Sequence, residues 1–266
     1  MQNIQFYKGV IDVTGCVSNG WNLLKPNYWL FFAICLLAMV AIMFVSCIPC
    51  LNLIIGGLVT APLTAGIYYV FLREMRGEPV DFAMMFKGYE KFVPVMIIGF
   101  IQSIPGVIFT IIQWALDLGR LAAQLSRGGR GGNFYQGDGT DIAIAGGLIA
   151  LYVVVAVVFI VFGIAWYITF AFALPLVIEH DLNAIDAIKL SARAGWANAG
   201  GLILLFLLTI LIMIGGFFVL CIGMFFVIPL AYAAYAFAYR QVFPLLDQPF
   251  QPVPPHGQYG GFAQGM

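Results

Sequence analysis

The sequence predicts an all-α protein: a polytopic transmembrane bundle of about six helices, with internal helical-hairpin repeats and interfacial amphipathic helices on the cytoplasmic side. Hydrophobic residues make up 62% and charged residues 9% of the 266 positions, against about 45–50% and about 25% in an ordinary soluble domain. Long apolar runs without any charge can each cross a bilayer core of about 30 Å. Lysine and arginine concentrate in alternate connections between these runs, as in cytoplasmic loops.

Dividing the apolar runs by the roughly 20 residues of one membrane crossing gives the individual spans. Pro49 separates the first run into two helices, and Pro105 is expected to kink the third helix, because proline removes a backbone hydrogen bond. The run from 142 to 178 is longer than one crossing needs, so it is predicted to tilt, protrude or break before Pro175. The predicted spans are 29–49, 51–72, 93–116, 142–167, 200–219 and 222–240.

The basic residues predict that both termini lie in the cytoplasm. With that orientation, nine of the twelve lysines and arginines fall on the inner side. The three on the outer side are Arg120, Arg127 and Arg130. Residues 1–28 are expected to form an interfacial segment, and residues 244–266 a flexible tail rich in proline and glycine.

An internal repeat links the two ends of the chain. The letters GW at 20–21 and again at 195–196 each precede a CI pair, at 47 and at 221. The next helices carry PLTAGIYYVFLR from Pro62 and PLAYAAYAFAYR from Pro229. A weaker third copy would use Gly88 and Tyr89 and the PL pair at Pro175. The repeat indicates that these residues build the helical hairpins of the scaffold and do not form a separate functional site.

The repeat also bears on the motif CIPC at Cys47 and Cys50. Its counterpart reads CIGM, so the second cysteine is replaced by methionine and the proline by glycine. A hairpin turn tolerates both changes, whereas a shared redox pair does not. The pattern therefore favours a turn, while a disulfide or thiol relay through Cys47 and Cys50 stays open as the alternative.

Two charged segments on the cytoplasmic side are predicted to be amphipathic helices that lie in the membrane interface. Residues 76–92 carry a stripe of aromatic residues and methionine, and in residues 180–198 Ile185 lies opposite Lys189 and Arg193 at helical spacing. For residues 76–92, lateral packing against the bundle and binding of lipid or a protein partner both fit the stripe. Trp196 is expected to anchor the end of the second helix in the interface. The candidate contacts are Phe82, Phe86, Tyr89, Lys189, Arg193 and Trp196.

The interior of the predicted spans offers little chemistry. Arg73, Glu179 and Arg240 fall at span ends, where snorkelling to the interface is expected. The two histidines of the chain cannot build a bis-histidine haem site or a conventional histidine-rich metal site. Gln102 and Gln113 share one stripe of the third span, which is expected to serve interhelical hydrogen bonding or a substrate path.

The segments REMRGEPVDFAMMFKGYEKF, at 73–92, and LPLVIEHDLNAIDAIKLSARAGWANAGGLILLFLL, at 174–208, carry a likeness to a known family. They resemble the YciC-like family of prokaryotic six-helix membrane proteins and the related membrane domain of some glycerophosphodiester phosphodiesterases. The likeness covers roughly residues 8–243. It implies a membrane scaffold in a prokaryotic cytoplasmic (inner) membrane, and it transfers no catalytic residue.

The sequence therefore predicts a non-enzymatic integral membrane protein, either a structural or accessory subunit of a larger membrane complex or an oligomer that organises lipid. A transporter or flippase for an apolar or amphiphilic substrate is the alternative, and a thiol oxidoreductase using Cys47 and Cys50 ranks third. Expected partners are membrane lipids and other membrane-protein subunits or further copies of the chain, with no nucleic acid. No cofactor or metal is predicted besides bound lipid, and quinone or pigment is expected only within an electron-transfer complex.

Overall fold

The computed structural model describes residues 4–46, 56–126, 139–218 and 223–245, and these ranges contain helices and no strand. The chain divides into two compact units. The first comprises Met1–Gln102 and Tyr167–Met266, and the second comprises Ser103–Trp166. The all-helical class predicted from the sequence is confirmed for the described part of the chain.

The α-helices are numbered in chain order. They are α1 Val13–Leu24, α2 Tyr28–Ser46, α3 Ala61–Glu74, α4 Phe92–Ser126, α5 Gly139–Phe170, α6 Ala173–His180, α7 Ala184–Ala197, α8 Ala199–Phe218 and α9 Gly223–Val242. A π-helical turn, Gly56–Thr60, leads into α3, and 3₁₀ helices occupy Lys25–Asn27 and Phe82–Tyr89.

Four helical stretches among the described residues are long and apolar enough to cross a membrane. These are Val13–Phe44, Phe92–Gly119, Val153–His180 and Ala199–Phe218. They overlap the predicted first, third, fourth and fifth spans. The predicted second and sixth spans, which contain α3 and α9, are not among them, so six crossings stay a prediction. The first stretch also includes α1, which the sequence placed in a separate interfacial segment.

The long apolar run that ends near Pro175 is divided into two helices. α5 ends at Phe170 and α6 begins at Ala173. Pro175 cannot donate a hydrogen bond to the carbonyl four residues earlier and its ring would clash there, which explains why one helix does not pass through this point. α6 in turn ends at Asp181, whose φ of 54° is left-handed. By contrast, α4 continues through Pro105.

Close approaches in the first unit depend on glycine. Gly20 of α1 lies against α9, where an added Cβ would be 3.2 Å from the Cβ of Ala233. Gly88 of the 3₁₀ helix lies against the backbone oxygen of Pro62 in α3, and Gly195 of α7 against that of Ile168. Since any side chain would collide with a backbone atom at the last two positions, these elements can pack so closely only with glycine.

The α7 helix packs on its neighbours through small residues. Its buried positions are Ala184, Ala187, Ser191, Ala194 and Gly195. Ile185 is 62% exposed, so it does not pack against the bundle. An accessible isoleucine near exposed Lys189 and Arg193 is typical of a helix that lies in a membrane interface.

The second unit presents large apolar side chains on its surface. In α4, Trp114 is 69% and Leu118 is 65% exposed. In α5, Val161 is 64% exposed, while Phe109 and Phe159 pack ring against ring at 5.4 Å. Apolar exposure on this scale suits acyl chains as the surroundings of this unit.

Candidate functional site

Polar side chains of α3 occupy its accessible side. Thr64 and Tyr68 are half-buried, one helical turn apart, whereas the apolar neighbours Ala61, Ala65 and Ile67 are buried. A helix surrounded by lipid is expected to show the reverse arrangement, because polar groups are costly next to acyl chains. The polar side of α3 therefore needs a polar neighbour or a polar ligand.

α9 supplies matching polar side chains. Tyr232 and Tyr235 are half-buried, and the alanines beside them, Ala233, Ala234 and Ala236, are buried. The rings of Tyr68 and Tyr232 meet edge to face, with centroids 5.9 Å apart at 78°. Such pairs are favourable packing arrangements for aromatic rings.

A third helix completes the group. Tyr167, near the end of α5, lies with its ring centroid 6.1 Å from that of Tyr235 and 5.1 Å from that of Phe206 in α8. We call the group formed by Thr64, Tyr68, Tyr167, Tyr232 and Tyr235 the tyrosine seam. It brings four phenol hydroxyls from three helices together inside the first unit.

The backbone is irregular where α3 begins. The π-helical turn Gly56–Thr60 precedes the first turn of α3, and a Cβ at Gly57 would lie 2.9 Å from the ring of Phe100. Single π turns interrupt the regular hydrogen bonding of a helix and occur frequently at functional sites. The turn places Thr60 two helical turns before Tyr68, and Thr60 is also half-buried.

A buried ion pair lies near the C-terminal ends of α6 and α9. Arg240 Nη2 of α9 donates to Glu179 Oε1 of α6 at 2.7 Å, and the two side chains are only 3% and 1% exposed. Arg76 Nη1 approaches the same carboxylate oxygen at 3.5 Å. One carboxylate thus joins α6, α9 and the segment after α3, and this joint depends on its negative charge.

The surroundings of the ion pair are aromatic on one side and charged on the other. The rings of Phe172, Tyr239 and Phe243 pack against one another. The ring centroid of His180 lies 6.4 Å from that of Phe243. Nε and Nη1 of Arg240 are buried and have no hydrogen-bond partner among the described residues. Internal water is the ordinary acceptor for such donors.

Towards the surface, the charges are arranged around one glutamate. Arg73 Nε lies 2.8 Å from Glu78 Oε2, and Arg76 Nε lies 2.8 Å from Glu78 Oε1. Lys91 and Asp181 pair at 2.5 Å and connect the start of α4 to the end of α6. These partly exposed ion pairs join the connections between the helices. Glu179 and Arg240 are buried beneath them.

The sequence-based interpretation of this region was wrong in one respect. Glu179 and Arg240 lie at helix ends, as expected, but they are buried against each other and do not snorkel towards the interface. The two residues are 61 positions apart in the chain. No local pattern could have revealed this partnership, because it depends on how α6 and α9 pack.

The N-terminal segment is fastened to both α8 and α9. Asn198 accepts from the backbone of Val10 at 3.2 Å and donates to the carbonyl of Tyr7 at 3.0 Å. The amide of Tyr7 donates to Val242, and the amide of Asp12 donates to the side chain of Gln241. The buried Asn198 therefore satisfies extended backbone that has no helical partner of its own.

The predicted interfacial residues largely lie on the surface. Phe86 is 48% and Trp196 is 56% exposed; Tyr89, Lys189 and Arg193 are also exposed, and Phe82 is half-buried. Trp196 Nε1 donates to Thr169 Oγ1 at 3.3 Å. The guanidinium of Arg193 lies 5.9 Å from the ring centre of Phe6. Their binding of lipid or a partner stays a prediction.

The other predicted site residues are not brought into one site. Gln102 and Gln113 are half-buried positions of α4 that belong to different compact units. Cys47 and Cys50 lie outside the described residues. Cys16 and Cys35 are free and buried. The tyrosine seam was not anticipated, although the spacing of Tyr68 after Pro62 and of Tyr235 after Pro229 was part of the repeat.

Comparison with known proteins leaves the site without an assigned role. No family model, curated protein or solved structure matches the chain. The likeness to YciC-like proteins therefore stays a prediction. Within the described ranges, no group of three or more histidine, cysteine or acidic side chains is arranged to hold a metal ion.

Proposed function

We propose that this chain is a non-enzymatic integral membrane protein that acts as an accessory subunit of a larger membrane complex or as an oligomer that organises lipid. The observation that supports this most directly is the construction of three short surface helices, α1, the 3₁₀ helix Phe82–Tyr89 and α7. Each of them buries a glycine against another helix and exposes the aromatic residue that follows it.

The three aromatic residues are Trp21, Tyr89 and Trp196, with exposed fractions of 45%, 36% and 56%. Tryptophan and tyrosine prefer the level of the lipid headgroups, where an apolar ring and a polar atom are both accommodated. A protein that presents three such residues on separate helices is well suited to holding lipid, or a neighbouring subunit, at one membrane surface.

The same contacts favour the repeat and the six-span topology as parts of this proposal. Gly88 packs on α3, the helix before it, and Gly195 packs on the end of α5. Gly20 of α1 packs on α9. We infer three related hairpin units, both termini in the cytoplasm, and a prokaryotic inner membrane as the location.

Purification in a mild detergent tests the proposal. We expect the chain to elute as an assembly larger than a monomer and to retain lipid or protein partners that mass spectrometry identifies. Replacing Trp196 by alanine should reduce the retained material, whereas replacing the buried Cys35 by alanine is the matched control. A delipidated monomer with no copurifying protein would refute the proposal.

A second candidate function is a transporter or flippase for an apolar or amphiphilic substrate. The accessible polar stripe on α3 and α9 and the π turn before α3 favour it. Flux of a fluorescent lipid across liposomes should then fall when Gln102 and Gln113 are changed to leucine. Undiminished flux in this variant would remove the two glutamines from the path.

A thiol oxidoreductase ranks third. Changing Cys47 and Cys50 to serine tests it directly, because function without either thiol excludes the redox role. The proposal includes no cofactor other than lipid, and quinone or pigment enters only if the partner complex transfers electrons.

A further inference from the structure

We propose that the tyrosine seam is a binding site for the uncharged polar region of a membrane amphiphile, namely the ester carbonyls of a glycerolipid. The inference rests on the proposed role in organising lipid and specifies which chemical group is held and where. It starts from the polarity of α3 and α9, in which Thr64, Tyr68, Tyr232 and Tyr235 are half-buried while Ala65, Ala233, Ala234 and Ala236 are buried.

Packing alone does not account for this arrangement. A threonine in a helix can donate to its own backbone, as buried Thr209 does to the carbonyl of Leu205 at 2.8 Å. A tyrosine hydroxyl lies too far from its own helix for this solution. Within the seam, Tyr232 is in hydrogen-bonding reach of Thr64, and Tyr235 is in reach of Tyr167. The remaining capacity of these hydroxyls, including that of Tyr68, depends on acceptors outside α3 and α9.

The charge distribution selects the class of ligand. In α3 from Ala61 to Leu72, and in α9 from Gly223 to Tyr239, the sequence contains no acidic or basic residue. The nearest charged residues, Arg73 and Arg240, each lie five residues beyond a seam tyrosine, about 7.5 Å further along the helix axis. Both are already engaged by carboxylates.

A charged headgroup would thus find no counter-ion within the seam, and burying it there would be costly. Ester carbonyls are uncharged and accept hydrogen bonds, which is what phenol hydroxyls offer. The apolar surface around the seam suits the attached acyl chains. These conditions together favour a neutral glycerolipid region.

A pair of probes that differ only in the carbonyls provides the test. Delipidated full-length protein in mild detergent is titrated with a radiolabelled diacylglycerol and with the dialkyl ether of the same chain length, which lacks carbonyl acceptors. We expect the diester to bind more tightly to the wild type. Changing both Tyr232 and Tyr235 to phenylalanine removes two hydroxyls and keeps both rings, so folding is preserved.

The double variant should bind the diester about 5- to 25-fold more weakly, because one hydrogen bond contributes about fivefold in affinity. Its affinity for the diether should not change, and Tyr89→Phe, outside the seam, should affect neither probe. Equal affinity of the wild type for both probes would overturn the inference. So would an unaltered diester affinity in the double variant, or stronger binding of the charged phosphatidate with the same chains.

The design separates this inference from the proposed function. If the chain retains lipid on purification but does not discriminate ester from ether, only the assignment to the seam fails. If it retains neither lipid nor partner, the proposed function fails as well.

Discussion

Breaking the buried ion pair should cost far more than breaking a surface pair of similar geometry. Glu179→Gln leaves Arg240, which is 3% exposed, without its counter-charge and weakens the contact to Arg76. An uncompensated buried charge of this kind typically destabilises a protein by about 3–5 kcal/mol. Glu90 provides the matched control, since its partner Lys87 is 44% exposed and solvent screens the pair. We therefore expect Glu90→Gln to lower the free energy of unfolding only slightly.

The assay is thermal unfolding in detergent, followed by the protein that remains soluble and monodisperse after heating. A double variant, Glu179→Leu with Arg240→Met, removes both charges and should recover most of the stability lost in Glu179→Gln, because no buried charge is left unpaired. Equal midpoints for Glu179→Gln and Glu90→Gln would refute the reasoning. The reasoning would also be refuted if the loss of stability in the double variant equalled the sum of the losses in its two single variants.

Three further predictions concern packing, capping and orientation. Gly88→Ala should destabilise the protein by roughly 1–3 kcal/mol or more, because the added Cβ would collide with backbone atoms. Gly163→Ala, which has open space around it, should be neutral or mildly stabilising. Thermal unfolding of the two variants tests this difference. Asp12 caps α1, and hydrogen bonds from Gly15 N–H and then Thr14 lower its pKa. Relative to Asp12→Ala, this cap should contribute about 1 kcal/mol of stability at pH values above the unfolded pKa of about 3.9. The contribution should disappear as the pH falls through the lower folded pKa. Unfolding curves of the wild type and Asp12→Ala should therefore converge in acid. In intact cells, a membrane-impermeant maleimide should label Arg120→Cys and spare Lys189→Cys in a cysteine-free background; the opposite pattern would invert the topology.

The helical class was predictable because composition and charge-free runs follow directly from the demands of a bilayer. The break between α5 and α6 was also within reach of the sequence, since Pro175 prevents a continuous helix. The boundary after residue 28 stays a prediction, and a short 3₁₀ turn, Lys25–Asn27, joins α1 to α2 at this point.

The candidate site was much less predictable than the fold. The pairing of Glu179 with Arg240 and the meeting of Tyr68 with Tyr232 are contacts between helices distant in sequence. Helical periodicity tells which residues share a face, but it does not tell which neighbour that face meets. For α7 the periodicity did not show that alanine and glycine form the face that packs most closely.

The docking of α1 on α9 has a consequence for how the protein is made. α1 rests against α9, which follows it in the chain by about 200 residues, and the amide of Tyr7 donates to the carbonyl of Val242. Contacts between such distant parts of a chain form late and slowly. This contact therefore cannot form until α9 has been synthesised, and nascent chains stopped before α9 should expose the glycine face of α1 to insertion factors or proteases.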